Sequence, residues 1–193
     1  MIKNFEILCA HGFGVRKDDR GLFTDLAACM PDRRIHMLDM NDVDDQTGNL
    51  RTPPLEEQAR RLSVHAQKLD QKYIVVAHSM GCLVTCLSTL PGMTRAIFLA
   101  PPSKVDIEKT VKSFSERPGS VINMDGESIL ARRDGTQTIV LASFWKSKTG
   151  PKNDPAILLH NFMHAPVDLI QASEDEVLGQ TDFLNLPSHF TLH

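Results

Sequence analysis

The stretch Tyr73-Ile74-Val75-Val76-Ala77-His78-Ser79-Met80-Gly81 constrains this chain more than any other. An apolar run of strand character ends at a serine, and a helix-like pattern (Cys82, Leu83, Val84, Cys86, Leu87, Leu90) begins at once. A corner that joins a buried strand directly to a helix is tight, so the residues two before and two after the serine have to be small. They are Ala77 and Gly81. The Ser79 side chain then stands clear of the backbone, above the N-terminus of the helix. A serine in such a place can be an ordinary helix N-cap. The catalytic reading requires that the rest of the chain supply a base, an acid and oxyanion donors.

The pattern around this corner alternates strand with helix. Phe5 to Ala10 reads as a short apolar strand, followed by the loop His11-Gly12-Phe13-Gly14 and a helix carrying Leu22, Phe23, Leu26, Ala27 and Met30. Arg34 to Leu38 reads as a second strand and the polar stretch from Asp39 to Thr52 as a loop. Pro53 and Pro54 open a helix with Leu55, Ala59, Leu62, Ala66 and Leu69 on one stripe. Arg95 to Ala100 is the fourth strand, Pro155 to Met163 a helix, Val167 to Ala172 the fifth strand and Thr181 to Leu186 the sixth. This rhythm predicts an α/β fold with a mostly parallel central sheet flanked by helices. Between Ser103 and Asp154 the rhythm breaks. A helix from Val105 to Phe114 is followed by three short strand candidates separated by Asp125-Gly126 and Asp134-Gly135, which predicts an inserted β-hairpin or meander. The insert would either extend the main sheet or form a cap near the active site.

A serine hydroxyl needs a base, an orienting group and oxyanion donors, and in an open parallel sheet these gather at the carboxyl ends of the strands. After the fifth strand comes Ser173-Glu174-Asp175-Glu176-Val177, and Asp175 is the candidate acid, with Asp106 the runner-up. An acidic surface turn is the alternative for this stretch. After the expected sixth strand comes Leu186-Pro187-Ser188-His189-Phe190, and His189 is the candidate base; His193 is a weaker one at the terminus. The glycine-flanked loop after the first strand can turn backbone N–H groups toward a bound oxygen. The amides of Phe13 and Met80 are therefore the expected oxyanion hole.

Taken together, His-Gly-Phe-Gly, Ala-His-Ser-Met-Gly, Ser-Glu-Asp-Glu-Val and Ser-His-Phe resemble the oxyanion loop, nucleophile elbow, acid loop and histidine loop of the α/β-hydrolase superfamily. The resemblance covers nearly the whole chain except the insert. It implies a triad of Ser79, Asp175 and His189, and a minimal sheet of about six strands that lacks the first two of the full family. Ala77 replaces the first glycine of the elbow. Asp175 and His189 stand closer in sequence than most members allow, and the expected closing helix does not follow His189, so another surface would have to cover that face.

The chain has 193 residues, 41% of them hydrophobic, which fits one domain spanning 1–193 with an insertion at about 103–154. A net charge of −3 without a basic patch argues against nucleic-acid and anionic-membrane partners. Four cysteines fall in no disulfide or metal spacing, which points to a reducing compartment. The N-terminus runs straight into a strand without room for a signal peptide, and no apolar run approaches the ~20 residues of a membrane span. A cytoplasmic protein is expected. His160 and His164 have helical metal spacing without a third ligand, and the acids between Asp39 and Asp45 lack the register of a calcium loop, so neither a metal nor a cofactor is expected. Phe144 and Trp145 read as core or cap packing, with substrate contact as the alternative. The function expected is hydrolysis of a small ester or thioester through an acyl-enzyme. A non-catalytic ligand-binding pseudoenzyme or sensor and an acyltransferase are the alternatives, and a homo-oligomer is possible.

Overall fold

The computed structural model describes residues 5–19, 21–171, 183 and 186–193. In chain order the first elements are β1 (Glu6–Ala10), α1 (Leu22–Cys29), β2 (Ile35–Met37), β3 (Asp42–Val43), β4 (Leu50–Thr52), α2 (Leu55–Ala66), β5 (Tyr73–His78), α3 (Met80–Leu87) and β6 (Met93–Leu99). Then follow α4 (Ile107–Ser115), β7 (Glu127–Ala131), β8 (Gln137–Leu141), α5 (Ala142–Thr149), α6 (Pro155–Asn161), β9 (Val167–Ile170) and β10 (Phe190–Leu192). Six strands form a sheet in the order β10-β9-β6-β5-β1-β2, with every pair parallel.

The period-two alternation of the strands sorts their side chains onto two faces. Leu8, Ala10, Val75, Ala77, Ala96, Phe98 and Val167 join the larger core, which takes in Leu55, Ala59, Leu62 and Ala66 of α2 and Cys82 and Val84 of α3. Ile7, Cys9 and Val76 face the other way and pack with Phe23 of α1. Among the described residues no helix is long and apolar enough to cross a membrane.

The insert does not extend the main sheet. β7 and β8 form an antiparallel hairpin, and β8 pairs in parallel with β4, so a second sheet runs β3-β4-β8-β7. The stretch expected as a loop between Asp39 and Thr52 thus contributes two of its strands. Met40, Val43 and Leu50 are the apolar signals there, too few to show a periodicity against so many acids. The third strand expected in the insert is only an isolated bridge from Val121 to Ile129. Beyond β8 the chain makes the helix α5, which the sequence pattern did not indicate.

The sixth main strand lies later than expected. It is Phe190–Leu192, whereas Phe183 and Leu186 are not in a strand and the rest of 181–185 lies outside the described residues. A turn in which Phe190 N–H donates to the Pro187 carbonyl at 2.9 Å leads into it. The short apolar run near Leu186 competed with Phe-Thr-Leu, whose β-branched and aromatic residues suit a strand better.

Candidate active site

Ser79 sits at the corner between β5 and α3 with φ 52° and ψ −123°. That conformation is costly for a residue with a Cβ and persists only where the surroundings enforce it. They do so from three sides. The Ser79 N–H donates to the Leu99 carbonyl at 2.8 Å. A Cβ on Gly81 would stand 2.2 Å from the Ala10 carbonyl oxygen and 2.6 Å from that of His11, so α3 meets the end of β1 with no room for a side chain. A Cβ on Gly12 would lie 3.3 Å from the Ser79 Cβ and 3.2 Å from His78 Nδ1, so the loop after β1 is laid directly against the serine.

Phe13 follows Gly12 on that loop, and Met80 opens α3, where an N–H has no partner within its own helix. The loop is fastened by groups remote in sequence. His11 is buried; its Nε2 accepts from the Met40 N–H at 2.9 Å, which leaves the proton on Nδ1, 2.9 Å from the Gly12 carbonyl. Burial lowers the pKa of His11 below its ordinary value, against smaller opposing effects of the Gly12 carbonyl, Asp39 and Asp19. Arg132, just beyond β7, donates to the Gly14 carbonyl at 2.8 Å and pairs with Asp19 at 2.7 Å. Asn41 donates to the Val15 carbonyl at 2.8 Å and Asp39 accepts from Lys17 N–H at 2.8 Å. The acids and amides of the 39–45 stretch are thus used for tying loops together, and Asp42 pairs with Arg61.

The side chain of Phe13 is enclosed by the insert. Its ring stacks on Phe144 at 5.0 Å between centroids and meets Phe114 at 5.5 Å and Trp145 at 6.5 Å. Lys148 Nζ lies 5.6 Å from the Phe13 centroid. Neither Arg132 nor Lys148 was legible as part of a site. Phe144, Trp145 and Lys148 do stand at helical spacing, the one signal that could have marked that face of α5.

The two C-terminal histidines end up at opposite edges of the sheet. Phe190 pairs with Val167, and the Val167 N–H donates to the His189 carbonyl, so His189 is at the amino end of the strands. That is five residues below the level of Ser79, roughly 16 Å along the strand direction. The structure does not bring His189 to Ser79; its Nε2 is 2.6 Å from the Phe162 carbonyl instead. The misplacement follows from the later sixth strand, since His189 precedes it rather than follows it. His193 emerges at the carboxyl edge. There a row of backbone bonds runs from the His193 carbonyl to Gln171 N–H, from the Ile170 carbonyl to Ala100 N–H and from the Leu99 carbonyl to Ser79 N–H. The His193 ring lies against Asp168 at 3.1 Å, and the Asp168 carboxyl, chiefly through Arg95, is held down at about 2.

Asp175 lies outside the described residues. Asp106, the runner-up, is exposed and caps α4 through the Lys109 N–H at 2.9 Å. α6 ends at Asn161, so His160 and His164 share no helical face. Burial pushes the thiols of Cys82 and Cys86 well up, which leaves them as packing groups beneath the elbow.

A family model described as serine hydrolase matches residues 33–150, more than half of the chain and the part that contains Ser79. The chain belongs to the serine hydrolase family. The fold of this serine hydrolase is that of the α/β-hydrolases. The N-formylmaleamic acid deformylase Nfo of Pseudomonas putida S16 superposes with a TM-score of 0.64 at 15% identity, over 98% of this chain and 83% of the other. The α/β hydrolase GrgF of Penicillium sp. sh18 gives 0.63 at 14% identity, over 97% and 78%. The Paleococcus ferrophilus monoacylglycerol lipase gives 0.58 at 12% identity, over 91% and 77%. No curated protein sequence matches the chain.

Proposed function

We propose that this serine hydrolase cleaves a small carboxylic ester or thioester through an acyl-enzyme on Ser79. The observation that carries the reading is the strained backbone of Ser79 at the carboxyl edge, with the Gly12–Phe13 turn packed against it. Strain of this kind holds a side chain out at a fixed angle, and a surface cap serine has no need of it. Ser79 Oγ attacks the carbonyl as an imidazole base takes its proton, and the oxygen that becomes negative is received by the N–H groups of Phe13 and Met80. The alcohol or thiol departs with that proton, leaving the acyl group on Ser79. The acyl group leaves when water attacks with the same base assisting.

The relay to Ser79 draws on Asp175 and an imidazole at the carboxyl edge. Sheet register favours His193 over His189 for that imidazole. Three strand spacings, about 14 Å, separate the ends of β10 and β5, more than one side chain spans. The relay therefore closes only when the chain end bends over the edge of β9 and β6. The separation of His189 from Ser79 also favours a second reading, a ligand-binding protein that retains the pocket without turnover.

A fluorophosphonate probe separates the two. Covalent labelling that disappears in Ser79→Ala, falls steeply in His193→Ala and persists in His189→Ala is the expected result. A folded protein that never labels supports the binding reading, and labelling lost in His189→Ala but kept in His193→Ala would return the base to His189.

A further inference from the structure

Lys148 is a cation placed beside the oxyanion loop with no carboxylate partner among the described residues. Its Nζ lies 5.6 Å from the centroid of Phe13 and 6.0 Å from that of Trp145, between two aromatic rings of the same cluster. Aromatic faces return only part of the hydration an ammonium gives up. Burial accordingly pulls the Lys148 pKa down to about 8, with no carboxylate among the described residues opposing the shift. Glu56, the acid that α5 does engage, is committed elsewhere. It accepts from Ser147 Oγ at 2.6 Å and from Asn153 Nδ2 at 2.8 Å, while Ser147 Oγ also receives the Leu55 N–H at 3.0 Å. These bonds fix α5 from behind and leave the Lys148 face turned to Phe13.

Position gives this cation its meaning. Gly12 lies so near Ser79 that a Cβ there would stand 3.3 Å from the serine Cβ, Phe13 is the next residue, and Lys148 Nζ lies 5.6 Å from the centroid of its ring. A solute bound at the serine and extending past Phe13 toward α5 approaches the ammonium. Lys148 keeps partial exposure, so the place is open to a solute. A half-buried lysine used only for packing would be replaced at less cost by methionine or leucine.

We propose that Lys148 determines specificity, receiving a carboxylate that the substrate carries a few bonds from the carbonyl attacked by Ser79. This rests on the Ser79 reading above and names the substrate class within it, an anionic ester of a dicarboxylic or hydroxycarboxylic acid.

Monomethyl and dimethyl glutarate share the scissile bond and differ by one charge. In the wild type, kcat/KM for the half-ester is expected to exceed that for the diester by about tenfold, the scale of a charge-assisted hydrogen bond. The ratio falls to near one in Lys148→Met and is partly kept in Lys148→Arg. Lys148→Gln replaces the methionine variant should that not fold. 5-Acetoxypentanoate against its methyl ester asks the same with the carboxylate on the alcohol side, and a Lys148-dependent preference for either anion supports the assignment. A ratio unchanged by removing the ammonium overturns it.

Calorimetry with glutarate on Ser79→Ala reads the site without turnover. Binding that is lost in the Ser79→Ala/Lys148→Met double variant supports the assignment, and binding that survives there, or none to begin with, overturns it. Lys148-dependent glutarate binding in a protein that no fluorophosphonate labels would overturn the Ser79 reading while leaving Lys148 in place. Labelling without any charge preference would do the reverse.

Discussion

The Cα of Gly81 faces the carbonyl of Ala10 so closely that a methyl group there would stand 2.2 Å from the oxygen. Both partners are backbone, so neither can swing aside. Gly81→Ala must push α3 away from β1, and with it the Met80 N–H and the corner that holds Ser79. The expected loss is about 3 kcal/mol, the upper end for overpacking, together with slower labelling of Ser79. Urea unfolding and probe labelling on the same preparation check it, and a variant as stable as the wild type would show that the helix can retreat without strain.

Ser79 itself offers the converse test. Its φ of 52° is paid for by the packing around it, and only the Cβ makes it costly. Ser79→Gly should be more stable than Ser79→Ala by about 1–2 kcal/mol, although both lack the hydroxyl. Equal stability of the two, by thermal or urea unfolding, would mean that the corner relaxes in solution.

Arg132 makes the insert part of the site's scaffold. Its guanidinium joins the Gly14 carbonyl and Asp19, both on the segment between β1 and α1, and is itself largely buried. Arg132→Met leaves that carbonyl and a partly buried carboxylate without their cation. A loss of about 2–3 kcal/mol is expected, with slower labelling because the Phe13 turn loosens. Adding Asp19→Asn should restore part of the stability and little of the rate. Full recovery of both would reduce Arg132 to the role of a counter-charge.

The legible parts were those fixed by local pattern. Five parallel strands, the corner at Ser79 and the helix from Leu55 follow from apolar runs and periodicity in contiguous residues. Ala77 and Gly81 follow from the steric demand of one turn. What stayed hidden depends on pairing between distant segments. β4 is a strand because β8 lies beside it, and nothing in Leu50-Arg51-Thr52 announces that partner. The last strand was shifted by a few residues, and since that strand runs from the amino edge to the carboxyl edge, the shift moved His189 from one edge of the sheet to the other. Lys148 and Arg132 were invisible for a related reason. Their significance lies in contacts with Phe13 and Gly14, more than a hundred residues away.

His11 gives the site a dependence on pH whose sign can be worked out. With Nε2 accepting from Met40 N–H, the ring has no place for a second proton, and burial lowers its pKa below the ordinary value of 6.5. The unfolded chain therefore binds the proton more readily than the folded one. Stability from this residue is fully present above about pH 6.5 and is lost as the pH falls toward the lowered folded value. His65, also lowered, chiefly by burial, contributes in the same direction, so the wild-type decline is not due to His11 alone. The share of His11 is the difference between wild type and His11→Asn. At about pH 7.5 the variant should be less stable by roughly 1–2 kcal/mol, because the buried Met40 N–H loses its acceptor. Toward about pH 5 the gap should narrow, since the wild type then gives up what the variant never had. Urea unfolding of both proteins across that range checks the sign. A gap that widens on acidification would mean that His11 is charged in the folded state, with its proton shared toward Asp39 and Asp19 rather than excluded by Met40.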